Sequence, residues 1–143
     1  ESDGDKVLTY SQSNFKNNGT IFVNSKTFPG PLNTISITSL TETGANTSIW
    51  MSEAVNAEPA VNGNEALHTA AFYTSSFTGD IVVQATLDNQ VTDSSNWADV
   101  TTVTLDGTEA APTAVNFNGV FSYIRFKTTS NPADKITKIL VRN

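Results

Sequence analysis

The chain has 143 residues, of which 38% are hydrophobic and 15% charged, with no cysteine and a formal net charge of −6. Its length allows one domain with a sizeable core, and the lack of cysteine excludes disulfides, thiolate metal sites and cysteine nucleophiles. The negative charge disfavours nonspecific nucleic-acid binding, and no apolar run approaches a membrane span, so we expect neither a nucleic-acid nor a membrane partner.

Short strand patterns separated by turn-forming residues run along the first part of the chain. Residues 7–10 and 20–23 are candidate strands. Residues 34–40 alternate the apolar Ile35 and Ile37 with hydroxyl side chains, which is the pattern of a strand with one buried face.

Residues 41–67 give the weakest pattern in the chain. We expect one or two helical turns at residues 48–56, because Thr47 or Ser48 can cap the first turn. The prediction depends on that cap, since the apolar residues that follow do not share one helical face.

From residue 67 onwards the alternation of apolar and polar residues becomes regular. It predicts strands at residues 67–74, 80–87, 97–105, 121–128 and 135–142. Both faces of the last two strands are partly apolar, as in the central strands of a sandwich. We therefore predict an all-β fold, a single antiparallel β-sandwich of jelly-roll type that spans residues 1–143.

Basic residues are concentrated in the C-terminal third of this acidic chain. After residue 110 only Asp134 opposes them. One interpretation is that the basic side chains face acids on neighbouring strands. The other is that they dock onto further copies of the chain or onto an acidic partner. On the second interpretation the interface candidates are Trp50, Arg125, Lys127, Lys135, Lys138 and Arg142.

Arg125 lies between two apolar residues of a predicted strand. We expect it to be buried at the edge of the core and to pair with a carboxylate or a backbone carbonyl. Its loss should then lower stability as well as remove a contact.

Aromatic residues and a polar loop are the candidates for a glycan site. Trp50 and Trp97 can stack on sugar rings, and Asp88 and Asp93 belong to an oxygen-rich loop at residues 88–99. The same loop could ligate calcium, but we favour a hairpin loop made of ordinary turn formers and expect no metal or cofactor. Trp97 also suits packing at the end of the sandwich.

No catalytic residue is predicted. His68 is the single histidine, and a lone histidine at the start of a strand favours a structural role. The chain has no nucleophile-elbow motif around a serine. We therefore expect a protein that is not an enzyme.

The layout of residues 69–143 carries a family resemblance. A strand ending in Leu87-Asp88 is followed by Trp97, then by Asn116-Phe117-Asn118-Gly119-Val120-Phe121-Ser122-Tyr123-Ile124-Arg125, and the last strand closes on Arg142-Asn143. This layout resembles a jelly-roll or discoidin-like β-sandwich domain found in structural proteins of tailed bacteriophages. The turn at Asn118-Gly119, flanked by Phe117 and Phe121, can take positive φ.

The resemblance implies a role in the virion. It predicts a non-enzymatic bacteriophage structural protein, either a capsid decoration (cement) protein or a tail or fibre component. Such a protein would be located in the virion and would adhere, as a homo-oligomer or in many copies, to capsid or tail subunits. The alternative function that the residues themselves support is a carbohydrate-binding module.

Overall fold

The computed structural model describes residues 34–58 and 66–143, so the strands predicted at residues 7–10 and 20–23 lie outside the described part. In the described part, regular structure consists of strands, and no helix there could cross a membrane. The strands are β1 (Ile35–Ile37), β2 (Thr41–Glu42), β3 (Trp50–Met51), β4 (Val55–Asn56), β5 (Leu67–Thr74), β6 (Thr78–Thr86), β7 (Ala98–Asp106), β8 (Thr113–Asn118), β9 (Tyr123–Thr128) and β10 (Ile136–Arg142).

The strands form two antiparallel sheets, which confirms the predicted all-β sandwich. The smaller sheet has the order β1-β10-β5-β8, and the larger has the order β2-β3-β9-β6-β7 with β4 also paired to β9. The last two predicted strands are central, as their two-faced apolar pattern indicated. β10 lies between β1 and β5, and β9 lies between β6 on one side and β3 and β4 on the other.

The helix predicted at residues 48–56 is wrong. Ser48 has a φ of 56°, a left-handed conformation that cannot begin an α-helix. The segment instead lies along β9 as the two short strands β3 and β4. Ser52 joins them there, because its backbone N–H donates to the Phe126 carbonyl and its Oγ accepts from the Phe126 N–H, each at 2.9 Å. Pairing with a distant strand overrides the local N-cap signal.

The core lies between the inner faces of the two sheets. Phe72 of β5 meets Phe126 of β9 edge to face, with ring centroids 5.6 Å apart. Around this pair lie further fully buried side chains from both sheets: Ile37, Phe77, Ile81, Val83, Ile124, Ile139 and Val141. Burial of these apolar surfaces is the main source of stability in a fold of this kind.

His68 fastens the β8–β9 connection to the core. The imidazole is 1% exposed, with Nε2 3.0 Å from the Gly119 carbonyl and Nδ1 2.8 Å from Asn143 Oδ1. The Phe117 and Phe121 rings stack on it at centroid distances of 5.1 and 5.9 Å. Gly119 has a φ of 151°, and a Cβ there would collide with the Phe121 ring. The histidine is therefore a buried, hydrogen-bonded part of the core, as expected for a structural residue.

The importance of β9 to the core gives a first prediction. Phe126→Ala removes a fully buried ring and should lower the free energy of unfolding by about 3–5 kcal/mol. Leu87→Ala is the matched control, because that side chain is 72% exposed and its loss should change stability by less than about 0.5 kcal/mol. Urea denaturation of both variants measures the difference. Equal effects would contradict a core centred on β9.

Candidate functional site

A cleft beside Trp50 opens at one end of the sandwich, and we call it the Trp50 cleft. Its volume is about 210 Å³. The lining combines a half-buried indole, a few aliphatic groups and several polar side chains: Thr38, Ser39, Leu40, Trp50, Asn131, Pro132, Ala133, Asp134 and Ile136.

Strand pairing and a tight turn hold the walls of the Trp50 cleft. Trp50 is opposite Thr128 of β9 and Glu42 of β2, so its backbone is fixed on both sides. On the facing wall the Pro132 carbonyl accepts from the N–H groups of Lys135 and Ile136 at 2.9 and 3.0 Å. The cleft is therefore preformed by backbone hydrogen bonds.

The polar side chains of the cleft are available to a ligand. The hydroxyls of Thr38 and Ser39 and the carboxylate of Asp134 make no hydrogen bond to other described residues. Asn131 uses its Oδ1 to accept from the Ala133 N–H at 3.0 Å, which leaves its NH₂ group free to donate. Donors and acceptors thus meet beside one aromatic ring.

A row of polar contacts crosses the outer face of the larger sheet. Gln84 Nε2 donates to Asp99 Oδ1 at 2.8 Å, and Arg125 Nε donates to Gln84 Oε1 at 2.9 Å. The Arg125 Cζ lies 4.1 Å from the centroid of the Trp97 ring. Partial burial lowers the pKa of Arg125 from its usual value, but a guanidinium stays charged in proteins.

The partner predicted for Arg125 is wrong. In the described part of the chain the guanidinium forms no ion pair, and its hydrogen-bond acceptor is the side-chain amide of Gln84. The Gln84 Oε1 atom is the acceptor because Gln84 is opposite Arg125 in the β6–β9 register. The NH₂ group of the same amide donates to Asp99, which holds the side chain in this orientation.

The basic interface candidates do not share one surface. Arg125 and Lys127 lie on the outer face of the larger sheet. Lys138 and Arg142 lie on the outer face of the smaller sheet, where the Lys138 ammonium is 4.6 Å from the centroid of the Tyr73 ring. Lys135 belongs to the turn before β10. Because β9 and β10 are in different sheets, their outward side chains point to opposite sides of the sandwich.

The predicted glycan residues also separate. Trp50 is opposite Thr128 at one end of β9, whereas Trp97 precedes β7 near the other end of that strand. Asp88 and Asp93 lie in the β6–β7 loop beside Trp97 in sequence. Sequence analysis therefore predicted one glycan site, whereas the structure places these residues in two separate regions.

The β6–β7 loop behaves as a polar turn. The Thr92 N–H donates to Ser95 Oγ at 2.8 Å, and the Ser95 N–H donates to the Thr92 carbonyl at 3.1 Å. Among the described residues no group of three or more His, Cys, Asp or Glu side chains could hold a metal ion. These contacts give the calcium alternative no support.

A second cleft, the loop-end cleft, opens where the β6–β7 and β8–β9 connections meet. It has a volume of about 370 Å³ and mostly apolar walls: Ala85, Thr86, Leu87, Asn96, Trp97, Ala98, Val120 and Phe121. Leu87 and Val120 are 72% and 67% exposed. This cleft offers far fewer hydrogen-bonding groups than the Trp50 cleft.

The contacts of Arg125 give a prediction about stability. Arg125→Ala leaves Gln84 Oε1 without its donor and uncovers the Trp97 ring, so it should cost about 1–2 kcal/mol of unfolding free energy. Arg142→Ala is the control, because among the described residues that guanidinium reaches only Thr34 Oγ1, at 3.4 Å, and its loss should cost less than about 0.5 kcal/mol. Thermal and urea unfolding compare the two variants. A melting temperature unchanged by Arg125→Ala would show that the row contributes no stability.

Several residues of the Trp50 cleft escaped sequence analysis. Thr38, Ser39 and Asn131 come from two connections that are distant in sequence, and each is an ordinary turn or loop residue when taken alone. Trp50 was the detectable signal, because an aromatic residue in a polar segment needs a packing or a binding explanation.

Comparisons with known proteins match the chain to no family. No protein-family model matches the chain, and no curated protein matches it. Among solved structures, the chain is similar to CBM32-3 from a family 31 glycoside hydrolase of Clostridium perfringens. The identity is 17%, the match covers 78% of this chain and 89% of that one, and the TM-score is 0.39. A likeness at this level does not identify a ligand or a source for this chain.

Proposed function

We propose that this chain is a non-catalytic carbohydrate-binding domain and that the Trp50 cleft is its sugar site. The observation that carries the proposal is the meeting of a half-buried indole with four polar side chains that have free hydrogen-bonding groups. A sugar ring needs both features, because it has an apolar C–H face and a periphery of hydroxyls.

The groups of the cleft divide the recognition of a sugar between them. The Trp50 ring supplies a flat apolar surface for the C–H face. The Asp134 carboxylate accepts from sugar hydroxyls, and the Asn131 NH₂ group donates to them. The volume of about 210 Å³ is below the roughly 300–1,000 Å³ of pockets for drug-sized ligands, which favours a single sugar unit.

Two tryptophan variants test this assignment. Trp50→Ala should weaken binding of a neutral mono- or oligosaccharide at least tenfold, which corresponds to about 1.4 kcal/mol. Trp97→Ala is the matched control, since it removes the same ring from the other region and should change that affinity less than twofold. A panel of neutral saccharides is screened by NMR, and each hit is titrated against both variants.

The same screen contains the results that would overturn the proposal. Absence of binding by every neutral saccharide at millimolar concentration would do so, as would equal losses in the two tryptophan variants. Asn131→Ala repeats the test with a smaller change in case Trp50→Ala unfolds, because the Asn131 side chain is exposed.

Adhesion within a virion is the second candidate function. The observation that favours it is the exposure of Leu87 and Val120 beside the loop-end cleft, since exposed apolar groups that lie together mark interaction surfaces. On this hypothesis the chain is present in purified phage particles. Quantitative mass spectrometry should then find its peptides at a level comparable with the main shell subunit for a decoration protein, or at a small fraction of it for a tail or fibre component. Absence from particles would remove this candidate.

A further inference from the structure

The guanidinium of Arg125 is held in place by the protein, and part of it is unused. Its Nε donates to Gln84, its planar group lies over Trp97, and Gln84 is itself fixed by Asp99. The orientation of the guanidinium is therefore set before any ligand arrives.

The terminal nitrogens of this guanidinium remain available. An arginine has five N–H donors, and the contact with Gln84 uses only the one on Nε. The Nη1 and Nη2 atoms make no hydrogen bond to described residues, and no carboxylate there forms an ion pair with them. Two parallel N–H groups of this kind match the two oxygens of a carboxylate.

The neighbours on β9 extend this feature into a strip. Tyr123, Arg125 and Lys127 alternate with the buried Ile124 and Phe126, so all three side chains point away from the core. Successive outward residues of a strand are roughly 7 Å apart. We call Tyr123, Arg125 and Lys127 the β9 strip, which offers an aromatic ring, a fixed guanidinium and an ammonium in line.

Two carboxylates of the same sheet are hydrogen-bonded to neutral groups of the protein and keep their negative charge. Asp99 accepts from Gln84, and Asp80 accepts from the Thr104 hydroxyl. Glu53 is exposed between β3 and β4 and forms no ion pair with Arg125. The two cationic groups of the β9 strip, on Arg125 and Lys127, thus form no ion pair with a described carboxylate, on a protein whose net charge is −6.

We propose that the β9 strip is a second sugar site, specific for a carboxylated sugar such as a uronate. The carboxylate binds the terminal nitrogens of Arg125, the sugar ring lies against Tyr123, and Lys127 faces the next acidic unit of a chain. The inference rests on the proposed carbohydrate-binding function and adds to it a separate site and a class of sugar.

The test uses oligogalacturonate, its methyl ester and two arginine variants at fixed near-physiological salt. Oligogalacturonate should bind the natural chain, and methyl esterification should weaken binding at least tenfold because it removes the charge. Arg125→Gln should cause a loss of similar size. Arg142→Gln is the matched control, since it makes the same change of charge on the opposite face and should alter affinity less than twofold.

A second pair of variants protects the test against unfolding. Arg125→Lys keeps the charge but loses the two parallel N–H groups, so it should also weaken binding severalfold in a folded protein. Tyr123→Ala should weaken oligogalacturonate binding while leaving the melting temperature close to that of the natural chain, because the ring is not part of the core.

Other outcomes would overturn the inference. Equal losses for Arg125→Gln and Arg142→Gln would indicate nonspecific attraction, and equal affinity for the ester would exclude recognition of the carboxylate. Tighter binding of poly-glutamate than of oligogalacturonate would replace the sugar with an acidic polypeptide. Trp50→Ala separates the two sites: it should weaken neutral-sugar binding at least tenfold and leave uronate binding intact, so failure of one site is distinguishable from failure of the other.

Discussion

The alternation of side chains along β9 is the constraint on which the described structure depends. Its even-numbered residues, Ile124, Phe126 and Thr128, are buried between the sheets, and its odd-numbered residues form the β9 strip. Because a strand alternates faces with a period of two, one register shift would place the charged residues in the core and the aromatic core residue in water. The register is therefore fixed by the free energy of burial.

The same strand also determines where the candidate sites lie. Trp50 is held opposite Thr128, at the end of β9, so the Trp50 cleft is built against the end of the central strand. Arg125 is held opposite Gln84 in the middle of the sheet, where a flat surface replaces a cleft. One candidate site is concave and the other is flat because they lie at different parts of the same strand. A rigid strand favours precise geometry in both.

Much of the fold was predictable because its long strands follow simple alternation. Residues 67–74 were assigned with the observed bounds of β5, and four further long strands were found with small shifts at their ends. The two-residue strands β3 and β4 were missed, since they carry too few residues for a period and depend on pairing with β9. β8 was missed as well. It alternates Val115 and Phe117 with polar residues, but the sequence was interpreted there for its turn at Asn118-Gly119.

The candidate sites were less predictable than the fold, because they depend on neighbours that only the folded chain supplies. Trp50 and Arg125 were singled out as unusual residues, yet Gln84 and Asn131 have ordinary sequence contexts. Composition does not show where the positive charge lies on the molecule. The basic residues are close in sequence but lie on opposite faces of the sandwich, so their number does not measure the electrostatic potential at any one surface. A half-buried guanidinium with a neutral partner matters more to recognition than several exposed lysines. It is already oriented, so it loses less conformational entropy when a ligand binds.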